Sequence, residues 1–284
     1  MISALDSGEA RELHAAAALL CASVLVDSAI EHYRGSFENP AMVAPIAASA
    51  LGLAVAARAA LAKTLTPALS RGRERERGVR PTFALAALVG AAGLGFHLYN
   101  VLKRPGGIDW LNLFYGAPLG APGALVLAGA IGAAADRVGA SGGVRAPRIA
   151  GAPAGRALCG VSAVGLAGTV GEVALLHYRG SFQNPFMWLP VSLPPVAAAL
   201  TAKAAVESRA PRRRRFARAW LRLTALLGLG GVGFHAYGVS RAMGGWRNWR
   251  QNVLDGPPLP APPSFSALAL AGLAALRLRE RDDG

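Results

Sequence analysis

Long apolar stretches alternate with short polar connections along the 284 residues of this chain. Each stretch has about 20 residues, which is the length a helix needs to span a hydrocarbon core of roughly 30 Å. The chain is 53% hydrophobic and has a mean hydropathy of +0.35. No stretch sustains the alternation of apolar and polar residues that is typical of an outer-membrane barrel. We therefore predict an all-α polytopic membrane protein rather than the alternative, a buried all-helical soluble protein.

Eight transmembrane helices are predicted, four in each half of the chain. The first half has stretches at residues 13–33, 41–62 and 82–102 and a fourth that begins at Pro118 and ends near residue 135. The second half has stretches at residues 157–178, 186–206, 217–239 and 260–276. The last of these is the shortest, and several prolines precede it.

One phrase occurs twice and divides the chain. His-Tyr-Arg-Gly-Ser-Phe-Glu-Asn-Pro-Ala-Met at residues 32–42 returns at residues 177–187 with only Gln183 and Phe186 changed. A second phrase, Gly-Phe-His-x-Tyr, occurs at residues 95–99 and 233–237. We predict two tandem four-helix transmembrane repeats, residues 1–136 and 157–284, joined by a cytoplasmic linker at residues 137–156. Four spans per repeat make the two copies parallel, related by an axis along the membrane normal.

Positive charge predicts the orientation. Most of the 30 Lys and Arg residues lie in connections on the side of the amino terminus, with a dense group at residues 63–80. By the positive-inside rule both termini are cytoplasmic, and the repeated phrases lie on the outer side of the cell inner membrane. The net charge of +14 thus reflects topology, and we predict the lipid bilayer as a partner and no nucleic acid. The two cysteines, Cys21 and Cys159, are expected to be buried free thiols.

Four of the five histidines recur in register. His32 and His97 lie near the outer ends of the first and third spans, and His177 and His235 are their counterparts. Because the first and third helices of a four-helix bundle face each other diagonally, we expect the imidazoles of each half to converge at one depth.

Such a pair could hold a redox group. Two imidazoles can supply both axial ligands of haem b, with arginines and tyrosines near the membrane surface beside its propionates: Arg34, Tyr33, Arg179 and Tyr178. Copper is the alternative, because the thioethers of Met42 and Met187 lie at nearly the same level as the imidazoles.

Two acids are candidates for proton exchange. Asp27 and Glu172 lie five residues before His32 and His177, inside otherwise apolar spans, where a buried charge is costly. Five residues of helix turn through roughly 140°, so each acid lies on another face from its histidine. We expect each acid to meet a group on a different helix.

The functional hypothesis is an integral membrane redox subunit that exchanges electrons with an extracytoplasmic redox protein and quinone. Parallel repeats place both histidine pairs on one side, so the pairs alone do not carry electrons across the bilayer. One alternative is a transporter or small-ligand module that uses Asp27 and Glu172 as coupling groups. Another is a ligand-free scaffold whose repeated phrase is a helix-turn-helix corner with each histidine bonded to a backbone carbonyl. No hydrolase or metalloprotease motif occurs, and the sequence leaves open whether the protein is an enzyme.

Overall fold

The computed structural model describes residues 7–62, 80–141, 147–207 and 211–282, and these are almost entirely helical. The first-half helices are α1 (Ser7–Arg34), α2 (Val43–Leu61), α3 (Pro81–Leu102), α4 (Trp110–Phe114) and α5 (Gly120–Ala140). Those of the second half are α6 (Ala154–Arg179), α7 (Leu189–Val206), α8 (Pro211–Arg241), α9 (Trp249–Asp255) and α10 (Pro263–Asp282). Short 3-10 helices occupy Pro40–Met42, Pro185–Trp188 and Gly245–Asn248.

Helical structure extends into both ends of the predicted linker, residues 137–156. Helix α5 continues to Ala140 and α6 begins at Ala154, with a two-stranded antiparallel hairpin between them, β1 (Arg148–Ile149) and β2 (Ala152–Pro153). Residues 142–146 of the linker and residues 63–79 of the charged loop lie outside the described residues.

Seven of the described helices are long and apolar enough to cross a membrane: α1, α2 with its preceding 3-10 turn, α3, α5, α6, α7 and α8. The prediction of an all-helical membrane protein is confirmed at that level. Helix α10 has 20 residues, but its last turns carry Arg277, Arg279, Glu280 and Arg281, and it is not among the seven.

The helices pack in the same cyclic order in each half. In the first half α1 contacts α2, α2 contacts α3, α3 contacts α5, and α5 returns to α1. In the second half α6, α7, α8 and α10 close the same ring. Helix α2 also contacts α5, and α7 contacts α10, across their bundles. The second and fourth helices of each half are therefore close to each other across the bundle. The first and third helices, which carry the repeated histidines, lie farther apart.

Glycines set the close approach of the third and fourth helices. A Cβ atom added at Gly90 of α3 would lie 2.6 Å from the backbone nitrogen of Val126 in α5. Its counterpart Gly228 in α8 would bring a Cβ atom within 2.8 Å of the backbone nitrogen of Ser266 in α10. Backbones this close require glycine, as at packed helix interfaces in lipid.

The two halves join through their first and fourth helices, α1 with α10 and α5 with α6. At the start of α1, both carboxylate oxygens of Glu9 accept from Arg281 of α10, at 2.9 and 3.1 Å. Arg277 of α10 likewise pairs with Glu12. Both ends of the described chain therefore lie at one end of the molecule, which we call the terminal face. The opposite end, with residues 32–42 and 177–187, is the corner face.

Helix α10 is enclosed although its sequence is the least typical of a membrane span. It packs against α1, α6 and α8, and its side chains Phe265, Leu268 and Leu276 are buried. Near its end the buried Arg279 donates to the carbonyls of Ala204 and Glu207, 3.3 and 3.1 Å away, at the end of α7. A cation at a helix carboxyl end is favourable, so this arginine serves the packing of the second bundle.

Candidate functional site

Each repeated phrase forms a tight corner after the first helix of its half. Ser36 and Phe37 have positive φ values of 53° and 49°, and their counterparts Ser181 and Phe182 have 57° and 46°. Such values are uncommon outside glycine. The amide of Phe37 donates to the carbonyl of His32 at 3.0 Å, which closes the end of α1. The four left-handed residues turn the chain back toward the membrane within a few residues.

The Asn-Pro pair opens the next helix as predicted. The side-chain oxygen of Asn39 accepts from the amide of Ala41 at 2.9 Å, and that of Asn184 accepts from Phe186 at 3.0 Å. Pro40 and Pro185 are the first residues of the 3-10 helices that follow. This is the N-cap role that asparagine commonly plays.

The corner histidines bond across the turn. Nδ1 of His32 lies 2.6 Å from the carbonyl oxygen of Met42, and Nδ1 of His177 lies 2.7 Å from that of Met187. The rings also meet the edges of Phe37 and Phe182, with centroids 6.3 and 6.0 Å apart. Each imidazole thus ties the end of one helix to the start of the next.

The second pair of histidines repeats this contact at another connection. Nδ1 of His97 bonds to the carbonyl of Pro118, and Nδ1 of His235 lies 2.7 Å from the carbonyl of Pro258. A carbonyl only accepts, so in all four residues Nδ1 is the donor. In a neutral imidazole the lone pair is then at Nε2, which is the tautomer of a histidine that ligates through Nε2.

One pair of imidazoles interacts electrostatically across its bundle. His177 of α6 and His235 of α8 are close enough to interact electrostatically, and both side chains are half-buried. His32 and His97 occupy the corresponding ends of α1 and α3 and are also half-buried. The four imidazoles lie at the corner face.

The methionines fill the corners. A Cβ atom added at Gly35 would lie 3.3 Å from Cε of Met42, and one at Gly180 would lie 3.1 Å from Cε of Met187. The repeated Gly and Met are therefore complementary in shape. Each methionine contributes a carbonyl to its histidine and a methyl group to the space above its glycine.

The repeated tyrosines and arginines contact the opposite half. Tyr33 accepts from Arg250 of α9, whereas Tyr178 meets the rings of Trp110 and Phe114 of α4, at 5.7 and 6.0 Å. The guanidinium of Arg179 lies 5.4 Å from the centre of the Phe114 ring. The first corner is thus covered by α9 and the second by α4. Arg34 instead pairs with Glu31 of its own helix at 2.9 Å.

The two candidate acids lie near the junction of the halves. Asp27 of α1 interacts electrostatically with Glu172 of α6. The backbone amide of Gly120, at the start of α5, donates to the Glu172 carboxylate. A Cβ atom at Gly120 would lie 3.0 Å from Cδ of Glu172, so a larger residue here would displace the acid side chain. The N-terminus of a helix also favours a negative charge.

Within the part of the chain that the structure describes, no three side chains among His, Cys, Asp and Glu form a group that could hold a metal ion. Cys21 and Cys159 are buried, as predicted, and no disulfide joins them. A transition-metal site at the corner face would need ligands beyond these residue types.

Two asparagines of the site escaped the sequence analysis. The side-chain amide of Asn112 donates to the carbonyls of Pro105 and Gly107, at 2.9 Å each. That of Asn252 donates to Met243 and Gly245, at 3.1 and 2.8 Å. Both hold the Gly-Gly turn that follows a histidine helix. The sequence does contain a pattern that could have identified these turns, because a Gly-Gly pair precedes an asparagine in both halves.

A buried polar pair at the terminal face was also missed. Asp136 lies 3.4 Å from Nε2 of His14 and accepts from the backbone amide of Arg80 at 2.9 Å, just before α3. His14 stacks on Phe83 with ring centroids 5.8 Å apart. His14 has no counterpart in the second half, so the duplication gave no signal for it.

Comparison with protein families, with curated proteins and with solved structures finds no match for this chain. The geometry alone therefore carries the functional argument.

Proposed function

We propose that the chain crosses the cell inner membrane eight times as two parallel four-helix repeats with both termini in the cytoplasm. The shared helix order of the two halves and the pairing of Glu9 with Arg281 support this arrangement. Helix α10 is the eighth span. Its apolar part is enclosed by other helices, and its arginines cluster at the end that the positive-inside rule assigns to the cytoplasm.

Within this topology, the protein is an integral membrane redox subunit that binds haem b through paired histidines near the extracytoplasmic face. The observation that carries the proposal is that all four repeated histidines donate Nδ1–H to a backbone carbonyl, which leaves Nε2 for a ligand. Ligating histidines are commonly oriented by such a bond. The second-half pair, His177 and His235, is the one to test first, since their imidazoles interact electrostatically.

The donor set fits haem better than copper. Haem needs only two axial protein ligands, whereas a transition-metal ion bound by protein alone commonly takes three or four. Met42 and Met187 remain the candidate third ligands for copper, but their terminal methyl groups pack toward Gly35 and Gly180. Bound haem would supply one-electron chemistry, and the residues beside it would hold and orient it. Arg34, Arg179, Tyr33 and Tyr178 are the candidates to bind its propionates at the membrane surface.

The partners follow from the position of the site. Both histidine pairs lie at the corner face, so electrons would enter and leave at the same surface of the bilayer. An extracytoplasmic redox protein can approach from the aqueous side and a quinone from the lipid. Transfer across the bilayer would require a further subunit.

The test separates the structural role of each histidine from a ligand role. An asparagine side chain carries an N–H close to the position of Nδ1 but has nothing at Nε2. We expect the double variant His177→Asn with His235→Asn to fold and to lose the haem of the second half, so that its haem absorption per chain falls by one haem relative to the purified wild-type protein. The matched alanine variants should lose both this haem and stability, because the Met187 and Pro258 carbonyls lose their donor.

A haem spectrum unchanged in the asparagine double variant would contradict the second-half site. Wild-type protein that is colourless and metal-free, from cells with ample haem, iron and copper, would leave the ligand-free scaffold as the function. Elemental analysis of the same preparation distinguishes copper from haem iron.

A second candidate, a transporter or small-ligand module, is favoured by one specific observation. Asp27 and Glu172 come from equivalent positions of the two halves and lie near their junction. Acids placed at a repeat interface inside a membrane are typical of coupling groups in transporters. In proteoliposomes, Asp27→Asn or Glu172→Gln should abolish a proton flux driven by substrate, whereas the histidine variants should leave it intact.

A further inference from the structure

The duplicated corners differ in one respect that bears on ligand binding. Beside the second corner, the rings of Trp110 and Phe114 pack on Tyr178. Counting back from the shared Gly-x-Pro-Leu at residues 116–119 and 256–259, their counterparts are Arg250 and Leu254. Here an open cleft of about 530 Å³ remains, lined by Tyr33, Arg34, Ser36, Phe37, Leu254 and Asp255.

The cleft is lined by one positive side chain, one negative side chain and two aromatic rings. Arg34 supplies a cation and Asp255 an anion, while Tyr33 and Phe37 supply ring surface. Arg34 uses one nitrogen for Glu31, and the other donors of its guanidinium remain for an anion. Arg250, which donates to Tyr33 at the side of the cleft, adds a second cation. In the second half, Tyr115 occupies the position of Asp255, so the acid is specific to the first half.

The position of the cleft limits its occupant. Tyr33 and Arg34 are the last residues of the first membrane-spanning helix, where lipid headgroups meet the protein surface. The cleft is therefore at headgroup depth, and lipid is the most concentrated molecule there. Asp255 and Arg34 in the lining, together with Arg250 beside it, complement a headgroup that carries both an ammonium group and a phosphate.

We propose that the first corner binds the zwitterionic headgroup of a phosphatidylethanolamine molecule, with the phosphate at Arg34 and Arg250 and the ammonium group at Asp255. The second corner does not bind it, because Trp110 and Phe114 fill the equivalent space. This site uses none of the four histidines, but it shares Tyr33 and Arg34 with the propionate contacts proposed for a haem in the first half. A lipid in the cleft and a haem in the first half would therefore compete for Arg34, whereas the second-half site is unaffected.

The test is native mass spectrometry of the full-length protein, delipidated in detergent and titrated with phosphatidylethanolamine or phosphatidylglycerol. We expect one tightly held phosphatidylethanolamine, bound roughly tenfold more tightly than phosphatidylglycerol, which lacks the ammonium group. The double variant Arg250→Trp with Leu254→Phe, which copies the second corner, should lose this molecule. Asp255→Asn should remove the preference between the lipids, and the counterpart Tyr115→Phe should leave it unchanged.

Three results would overturn the proposal. Equal affinity of the wild-type protein for the two lipids would show that the acid plays no part. Retention by Arg250→Trp/Leu254→Phe would place the lipid elsewhere, and Asp255→Asn provides a separate test if that double variant misfolds. Equally tight binding of soluble glycerophosphoethanolamine would assign the cleft to a soluble zwitterion instead of a lipid.

Discussion

At the residue scale, the repeated phrase is explained largely by the corner that it builds. Histidine bonds to the methionine carbonyl, glycine leaves space for the methionine methyl group, and asparagine caps the next helix. The sequence predicted the Asn-Pro start because capping is a local property. It could not identify the carbonyl partner of His32, because that depends on the positive φ values of Ser36 and Phe37, which are rare for residues of these types.

The two asparagines that hold the Gly-Gly turns should contribute unequally to the free energy of unfolding. Asn252 is buried, whereas Asn112 is only half-buried, so water can more readily replace the lost donor at Asn112. We expect Asn252→Ala to lower the free energy of unfolding by about 1–3 kcal/mol, and Asn112→Ala by less. Equilibrium unfolding in mixed detergent micelles measures both.

The exposed neighbour Gln251 is the control for this comparison. Its alanine variant should unfold like the wild type. If Asn112→Ala and Asn252→Ala proved equally harmless, the two amides would not hold their turns.

At the scale of elements, the lengths of the apolar stretches predicted seven helices well. A segment that spans lipid must form its backbone hydrogen bonds internally, and a helix does so. The sequence predicts no helix at α4 or α9. With five and seven residues, these segments are too short to show the periodic pattern of apolar residues that identifies a helix. The buried extent of α10 was also beyond the sequence. Its apolar stretch is short, and its enclosure depends on contacts with α1, α6 and α8, which are distant in the chain.

The glycines of α3 test the packing of two elements. Gly90→Ala would push a methyl group against the backbone of α5, and we expect a loss of about 1–3 kcal/mol in stability. Gly95→Ala on the same helix meets nothing within 4 Å and should be neutral or slightly stabilising. Unfolding of the two variants side by side gives the comparison. Similar effects of both substitutions would mean that helix propensity, and not the approach of α3 to α5, determines the outcome.

At the scale of the whole molecule, the repeated phrases were readable from the sequence, and they led to the prediction of two four-helix halves. The contacts between the two halves could not be predicted from the sequence. Arg250 reaches Tyr33, and Trp110 reaches Tyr178, but nothing in their local sequences links these residues. A contact between halves depends on how two bundles dock, and a repeated sequence constrains each bundle mainly by itself.

The proposed topology predicts which positions can be labelled from outside the cell. Cysteines at Ser36 and Ser181 should react with a membrane-impermeant maleimide in intact cells. A cysteine at Ser141, or one appended after residue 284, should react only after permeabilisation. The native Cys21 and Cys159 are buried and should contribute little background. Labelling of the appended cysteine in intact cells would mean that α10 does not cross the membrane.

The most direct measurement of the redox proposal is the haem content of the purified wild-type protein, read from its reduced-minus-oxidised absorption spectrum against protein concentration. The proposal predicts the bands of a haem with two imidazole ligands, in a ratio of one or two haems per chain, with the first from His177 and His235. A chain that carries no haem after expression in haem-replete cells, and takes up none when haem is added, would contradict it.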